Sequence, residues 1–189
     1  MSTNELQPSD ILPAHRGTIK SYGRAPHIEG VELLTLTRHV DDRGLFLEIY
    51  RNRTLDPAGG EVSRFFDGID VAQMNYSIVD HTTTVKGMHY HLKQTDVWFC
   101  PPDSKMKIVL WDLRVHSTTS GQIQAIVAGG GHDLWVRIPP GVAHGYRPLT
   151  ERCALLYIVT RPFDAHDPDE HRIAWDHPAI RNLWNVENG

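Results

Sequence analysis

From Val31 onward, apolar and polar residues alternate with a period near two, in runs too short for helices. The runs are "VELLTLTRHV", "RGLFLEIYR", "VAQMNYSIV", "TTTVKGMHYHL", "DVWFC", "KMKIVLWDLRV", "IQAIVAG", "DLWVRIP" and "CALLYIVTR". Turn-forming clusters separate them, among them "DDRG", "PPDS", "TTSG", "AGGG" and "PPG". This punctuation predicts an all-β sandwich or barrel. An antiparallel jelly roll is the economical form, because pairing or closing the sheets manages their exposed edges. Helical periodicity is scarce and predicts at most a short turn after Arg51 and a C-terminal piece near Pro178. Residues 1–30 are polar and broken by Pro and Gly, and read as an N-terminal arm before a single domain at 31–189. "DAHDP", at 164–168, reads as a loop leading to a short C-terminal tail whose two Trp predict packing against the barrel.

Composition narrows the class. At 189 residues the chain can bury a core without disulfide or metal staples. Hydrophobic residues make up 40% and charged residues 22%, ordinary for a soluble globular protein. The net charge of −4 gives no sequence-wide positive field, so nucleic acid is not an expected partner. An anionic small ligand would instead need a local cluster of Arg and Lys. The N-terminal "MSTNELQPSDILPAHRG" has no apolar signal segment, and no apolar run reaches the roughly 18 residues of a membrane span. A cytoplasmic protein with no membrane partner is therefore expected. Cys100 and Cys153 match no zinc spacing and are expected to be reduced thiols in or near the core.

Candidate chemistry concentrates in "VKGMHYHLKQTDVW". On a strand, residues two apart share a face, so His89 and His91 stand together with Met88, Tyr90 and Leu92 opposite. If the imidazole face lines the barrel interior, it forms a polar pocket in a fold whose mouth commonly binds ligands. His144 follows a tight turn in "RIPPGVAHGYRPL", and Tyr157 sits among aliphatics in "CALLYIVTR". Taken alone, Tyr157 fits a core residue with a hydrogen-bonded hydroxyl, and Arg43 fits a solvent-exposed turn residue.

The pieces "DDRGLFLE", "QMNYS", "VKGMHYH", "DLR", "IPPGVAHGY", "LLYIVT" and "IAWDHP" occur in the order of the dTDP-4-dehydrorhamnose 3,5-epimerase family. The chain from about Val31 to its end resembles that family. The resemblance implies a cupin-type jelly roll (a double-stranded β-helix), a homodimer and no metal or organic cofactor. It implies a nucleotide-sugar substrate, a 4-keto-6-deoxyhexose epimerised at C3, C5 or both; a ketoisomerase would use the same enediolate chemistry. Matched motif by motif, His89 takes the base position, Tyr157 the acid position and His144 that of a pocket histidine. Arg43, Phe46, Glu48, Gln73, Asn75, Lys86, His91 and Phe163 fall at substrate-binding positions. A histidine suits the base because its pKa lies near neutrality. Arginine suits a diphosphate through its planar fork.

Three departures from the family pattern stand out. Lys86 occupies an arginine position, and Asp96 a position where a lysine contributes to enolate stabilisation. The aspartate that the family pairs with its base histidine lies in a C-terminal extension, and this sequence ends at "LWNVENG" before it. Asp96 or Asp112 is an internal substitute. An Asp96 anion at 4 Å from an enolate would be repelled by ~4 kcal/mol at an effective dielectric of 20. Losing one preorganised donor typically costs about 10²–10³ in rate. Two alternatives follow. His89, His91, Gln94 and His144 approximate the H-x-H, oxygen donor and later His of a metal-dependent cupin enzyme. A non-catalytic nucleotide-sugar binder would keep the fold without the lysine.

Overall fold

Strand alternation sends every second side chain to the opposite face of its sheet, and here the two faces meet different partners. The structure is a computed structural model that describes Gln7, Ser9, Pro13 and residues 26–185; most of the expected arm at 1–30 and the last four residues lie outside the described residues. One sheet is built from β1 (Glu32–Thr35), β4 (Gln73–Val79), β6 (Asp96–Phe99), β9 (Leu134–Ile138) and β11 (Cys153–Val159), in the order β1-β9-β6-β11-β4. The other contains β5 (Lys86–Tyr90), β7 (Lys105–Asp112), β8 (Ile123–Gly129), β10 (Val142–Pro148) and β12 (His171–Arg172), in the order β12-β5-β10-β7-β8. A hairpin pairs β2 (Arg38–Asp41) with β3 (Gly44–Leu47). Every pairing among these strands is antiparallel. The nearly all-β expectation and the jelly-roll layering hold.

Alternation on β6 shows how the layers arise. Trp98 and Cys100 point between the sheets and join Ile108, Leu110, Val136, Val142, Tyr146 and Leu155. Val97 and Phe99 point outward and pack with Trp135, Ile158, Phe65 and Phe66, the last two delivered by the short helix α1 (Glu61–Phe65) and its C-cap. On the other sheet, Met88, Val109 and Ala143 turn outward beneath Ile180 and Trp184. These two come from a 3-10 turn at Arg181–Trp184 and the residue before it. Burying Ile180 completely holds this tail by roughly 1.5–3 kcal/mol.

The 3-10 turn lies near Pro178, where the sequence allows helix, whereas α1 begins ten residues past Arg51. Three features differ from expectation. "VAHGYRP" forms the central strand β10, which shows no alternation because it is covered on both faces and six of its seven residues are buried. Of the two tail tryptophans only Trp184 packs down; Trp175 is 51% exposed. Ile28, within the stretch read as an arm, is fully buried in the inter-sheet core. Cys100 and Cys153 are free and buried, as expected. No helix among the described residues is long and apolar enough to cross a membrane.

Candidate active site

The site begins with an irregularity in β5. His144 of β10 pairs with His89, and Tyr146 with Lys86, so the single residue between them on β10, Gly145, faces two on β5, Gly87 and Met88. Such a bulge inserts one residue and re-aims its neighbours. Lys86 and His89, three apart, thus both line the interior, while Met88 between them is buried outside the sheet. Gly87 makes the bulge fit. Its φ is +123°, and a Cβ there would lie 2.6 Å from the Gly145 Cα and 2.9 Å from the His144 carbonyl oxygen.

Between the sheets opens a cavity of about 540 Å³, within the usual range for small-molecule sites. His89, with His91 just past β5, enters it from one sheet, and Asp96, Trp98, Tyr157, Asn75 and Gln73 enter from the opposite sheet. Lys86, Arg161 and Phe163 lie toward the exposed mouth. Among the described residues Arg172 is paired with Glu170 at 2.5 Å and Lys93 with Asp167 at 3.2 Å, whereas Lys86 and Arg161 have no ion pair. They are the mouth's uncommitted cations.

At the base of the cavity three imidazoles surround one carboxylate. The His89 ring centroid lies 4.3 Å from that of His144 and 5.3 Å from that of His91. Asp96 approaches His144 Nε2 at 3.4 Å and His91 Nε2 at 3.6 Å. It also accepts hydrogen bonds from Gln94 Nε2 at 2.7 Å and Trp98 Nε1 at 3.1 Å. His144 Nδ1 donates to the Val142 carbonyl at 2.9 Å, and His91 Nδ1 donates to the Asp169 carbonyl, which turns both Nε2 atoms toward Asp96. The Asp169 carboxylate in turn accepts from the backbone N–H groups of Leu92, Lys93 and Gln94.

These surroundings set the charges. Burial, reinforced by His144, pushes His89 well below the ordinary histidine range, so it is neutral near pH 7. Burial alone would raise the Asp96 carboxyl; the His144 and His91 rings and the Gln94 amide outweigh it and keep the group anionic. Burial, with the Asp96 and Glu170 charges, raises the Tyr157 phenol, so it holds its proton.

The structure thus gathers His89, His91, Asp96, Tyr157, Gln73, Asn75, Lys86 and Phe163 at one cavity, with His144 packed directly behind His89. It does not bring Arg43, Phe46 and Glu48 there. Arg43 and Phe46 border a separate groove on the β2–β3 hairpin, where Arg43 pairs with Asp41 at 2.5 Å; Glu48 pairs with Arg51. Asp112 is not a partner for His89: its carboxylate accepts from Arg114, Ser117 and Thr119. The oxygen donor among the histidines is Asp96, with Gln94 hydrogen-bonded behind it. Arg161 and Trp98 were not singled out from the sequence. Trp98 is two residues from Asp96 on one strand, so period-two reasoning places it on the same face; Arg161, just past β11, had no such signal.

A family model described as dTDP-4-dehydrorhamnose 3,5-epimerase matches residues 25–188. The spore coat polysaccharide biosynthesis protein SpsL of Bacillus subtilis is 36% identical over 164 residues, covering 85% of this chain and 98% of that protein. The probable low-salt glycan biosynthesis epimerase Agl13 of Haloferax volcanii is 29% identical over 168 residues, covering 86% and 97%. The crystal structure of a dTDP-4-dehydrorhamnose 3,5-epimerase from Bacillus anthracis, with TDP and PPi bound, superposes with a TM-score of 0.70. It covers 87% of this chain and 91% of that one at 22% identity, a likeness of fold.

Proposed function

Because the chain belongs to the dTDP-4-dehydrorhamnose 3,5-epimerase family, we propose that it epimerises a nucleotide-linked 4-keto-6-deoxyhexose by moving a proton on a carbon next to the ketone. The observation that carries this reading is that His89 and Tyr157 enter one cavity from opposite sheets. A sugar ring between them meets an imidazole on one face and a phenol on the other. The C4 ketone acidifies the hydrogens at C3 and C5. Neutral His89 accepts one of these protons, the electrons of the broken C–H bond pass into an enolate, and Tyr157 returns a proton from the other face. Lys86 and Arg161 suit the diphosphate as mouth cations, while Gln73 and Asn75 offer hydrogen bonds to the ligand. Asp96, where the family has a lysine, does not face the enolate as a bare anion, because Trp98 and Gln94 donate to it.

The same reading carries the expected homodimer. Arg43, Phe46 and Glu48 stand on or beside a hairpin that contributes nothing to the cavity of their own chain, so contact with the nucleotide requires a second copy. Sedimentation analysis tests this, a purely monomeric protein counting against it.

The decisive experiment is incubation of chelator-treated protein with a dTDP-4-keto-6-deoxyglucose substrate in D₂O. Deuterium is expected at C3, C5 or both by NMR. His89→Asn is expected to reduce incorporation by about 10²–10⁴-fold, the usual contribution of a general base. Tyr157→Phe is expected to depress product formation more than proton removal. A binder without catalysis would bind the nucleotide sugar, show no incorporation and be indifferent to both substitutions.

A further inference from the structure

One departure of this chain from the family pattern, Asp96 in place of a lysine, reaches the same point as His89, His91 and His144. We propose that His89, His91, Asp96 and His144 form a binding site for one divalent first-row transition-metal ion at the base of the cavity.

Geometry and chemistry support this independently of the epimerase reading. One donor atom from each of the four residues lies within 4.8 Å of every other. Tetrahedral ligation at roughly 2.0–2.1 Å requires donors about 3.3 Å apart. The contacts of Asp96 with His144 and His91, at 3.4 and 3.6 Å, are already near that spacing. The donor set suits zinc, iron, nickel or copper better than magnesium or calcium, which favour all-oxygen sites.

A second observation separates a cation site from a buried polar network. His144 is 1% exposed, and its Nε2 has no hydrogen-bond partner. Its Nδ1–H is taken by the Val142 carbonyl, and Nε2 faces Asp96 at 3.4 Å without a hydrogen bond. An unpaired buried nitrogen is unfavourable, and a metal ion bound to the unprotonated Nε2 would satisfy it. His91 has the Asp169 carbonyl behind Nδ1 in the same way, while its Nε2 lies 3.3 Å from Gln94 Nε2. Carbonyls and hydrogen-bond donors behind the ligands are the outer shell that fixes ring tautomers at metal centres; Gln94 and Trp98 hold Asp96 in the same way. Gln94 is therefore a supporting residue, and the carboxylate makes the set a stronger one than an amide would. A His89 nitrogen that ligates an ion cannot also accept a proton, so His89 serves as base only in the metal-free protein.

The test is a Co²⁺ titration of untagged, chelator-treated full-length protein, followed by visible absorption. A saturable signal at one Co²⁺ per chain is expected, with a rise in melting temperature that Mg²⁺ does not reproduce. His91→Ala and His144→Ala are expected to abolish the stoichiometric signal while retaining the native circular dichroism. Trp98→Phe is expected to weaken binding about 10–100-fold, and His39→Ala, an exposed hairpin histidine, to leave it unchanged. Absence of a saturable wild-type signal would overturn the proposal, as would a signal that survives both histidine substitutions. Deuterium incorporation is measured on the chelated protein, so failure there bears on the epimerase reading and failure of the cobalt signal on this site.

Discussion

Gly87→Ala puts the link between backbone fit and site chemistry to a direct test. The residue holds φ at +123°, where an L side chain is strained by about 1–3 kcal/mol. The added methyl would meet the Gly145 Cα at 2.6 Å against an ordinary contact of 3.4 Å or more. Both nearest atoms belong to backbone, so no side-chain tip can swing aside, and overpacking of this kind typically adds about 1–3 kcal/mol. The summed loss is about 2–6 kcal/mol, a large share of the roughly 5–15 kcal/mol that holds a domain folded. Relief requires β5 and β10 to part by about 0.8 Å next to the His89–His144 pair, and displacements near 1 Å typically cost about 10²-fold in rate. Urea unfolding gives the stability and deuterium incorporation the activity. Gly44→Ala is the control: its φ is +141°, but nothing lies within 4 Å, so it carries dihedral strain alone. If Gly87→Ala lost no more stability than Gly44→Ala and kept incorporation within twofold, the close-approach argument would be wrong.

Other outcomes follow from the same contacts. Asp112→Asn is expected to destabilise by about 2 kcal/mol, below the usual loss for a fully buried pair because Arg114 retains 27% of its side-chain exposure; it should leave incorporation per folded molecule unchanged. Burial raises the Asp112 carboxyl, but Arg114, Ser117 and Thr119 outweigh it and hold the group well below the usual range. Its stabilisation is therefore complete above the unfolded pKa of about 3.9 and is lost as pH falls through the lower folded value. An acid titration monitored by circular dichroism should show wild type and Asp112→Asn converging at low pH. Lys86→Ala and Arg161→Ala are each expected to raise KM by about 10–100-fold with a smaller change in kcat, as for a lost hydrogen bond to a diphosphate; steady-state kinetics decides, and an unchanged KM in both would remove them from the diphosphate site.

Much of the fold was legible because alternation reports directly on faces. "DVWFC" places Asp96 with Trp98 and Val97 with Phe99, and the structure sorts them that way. β10 escaped because a strand buried on both sides has no alternation to read. The histidine cluster was visible as residue types and Asp96 as one of two candidate acids; only the β6 pleat shows that Asp96, rather than Asp112 or Gln94, is the oxygen donor aimed at the rings. Arg43, Phe46 and Glu48 were matched by motif, which carries no information about which cavity a hairpin faces.

Asp169 grips the turn at Leu92, Lys93 and Gln94 with its carboxylate and the His91 ring with its carbonyl. The loop bordering the cavity entrance and a histidine at its base therefore share one anchor. A guest bulky enough to push the 164–170 loop outward would also draw on the carbonyl that fixes the His91 ring, so one residue ties the width of the doorway to the chemistry behind it.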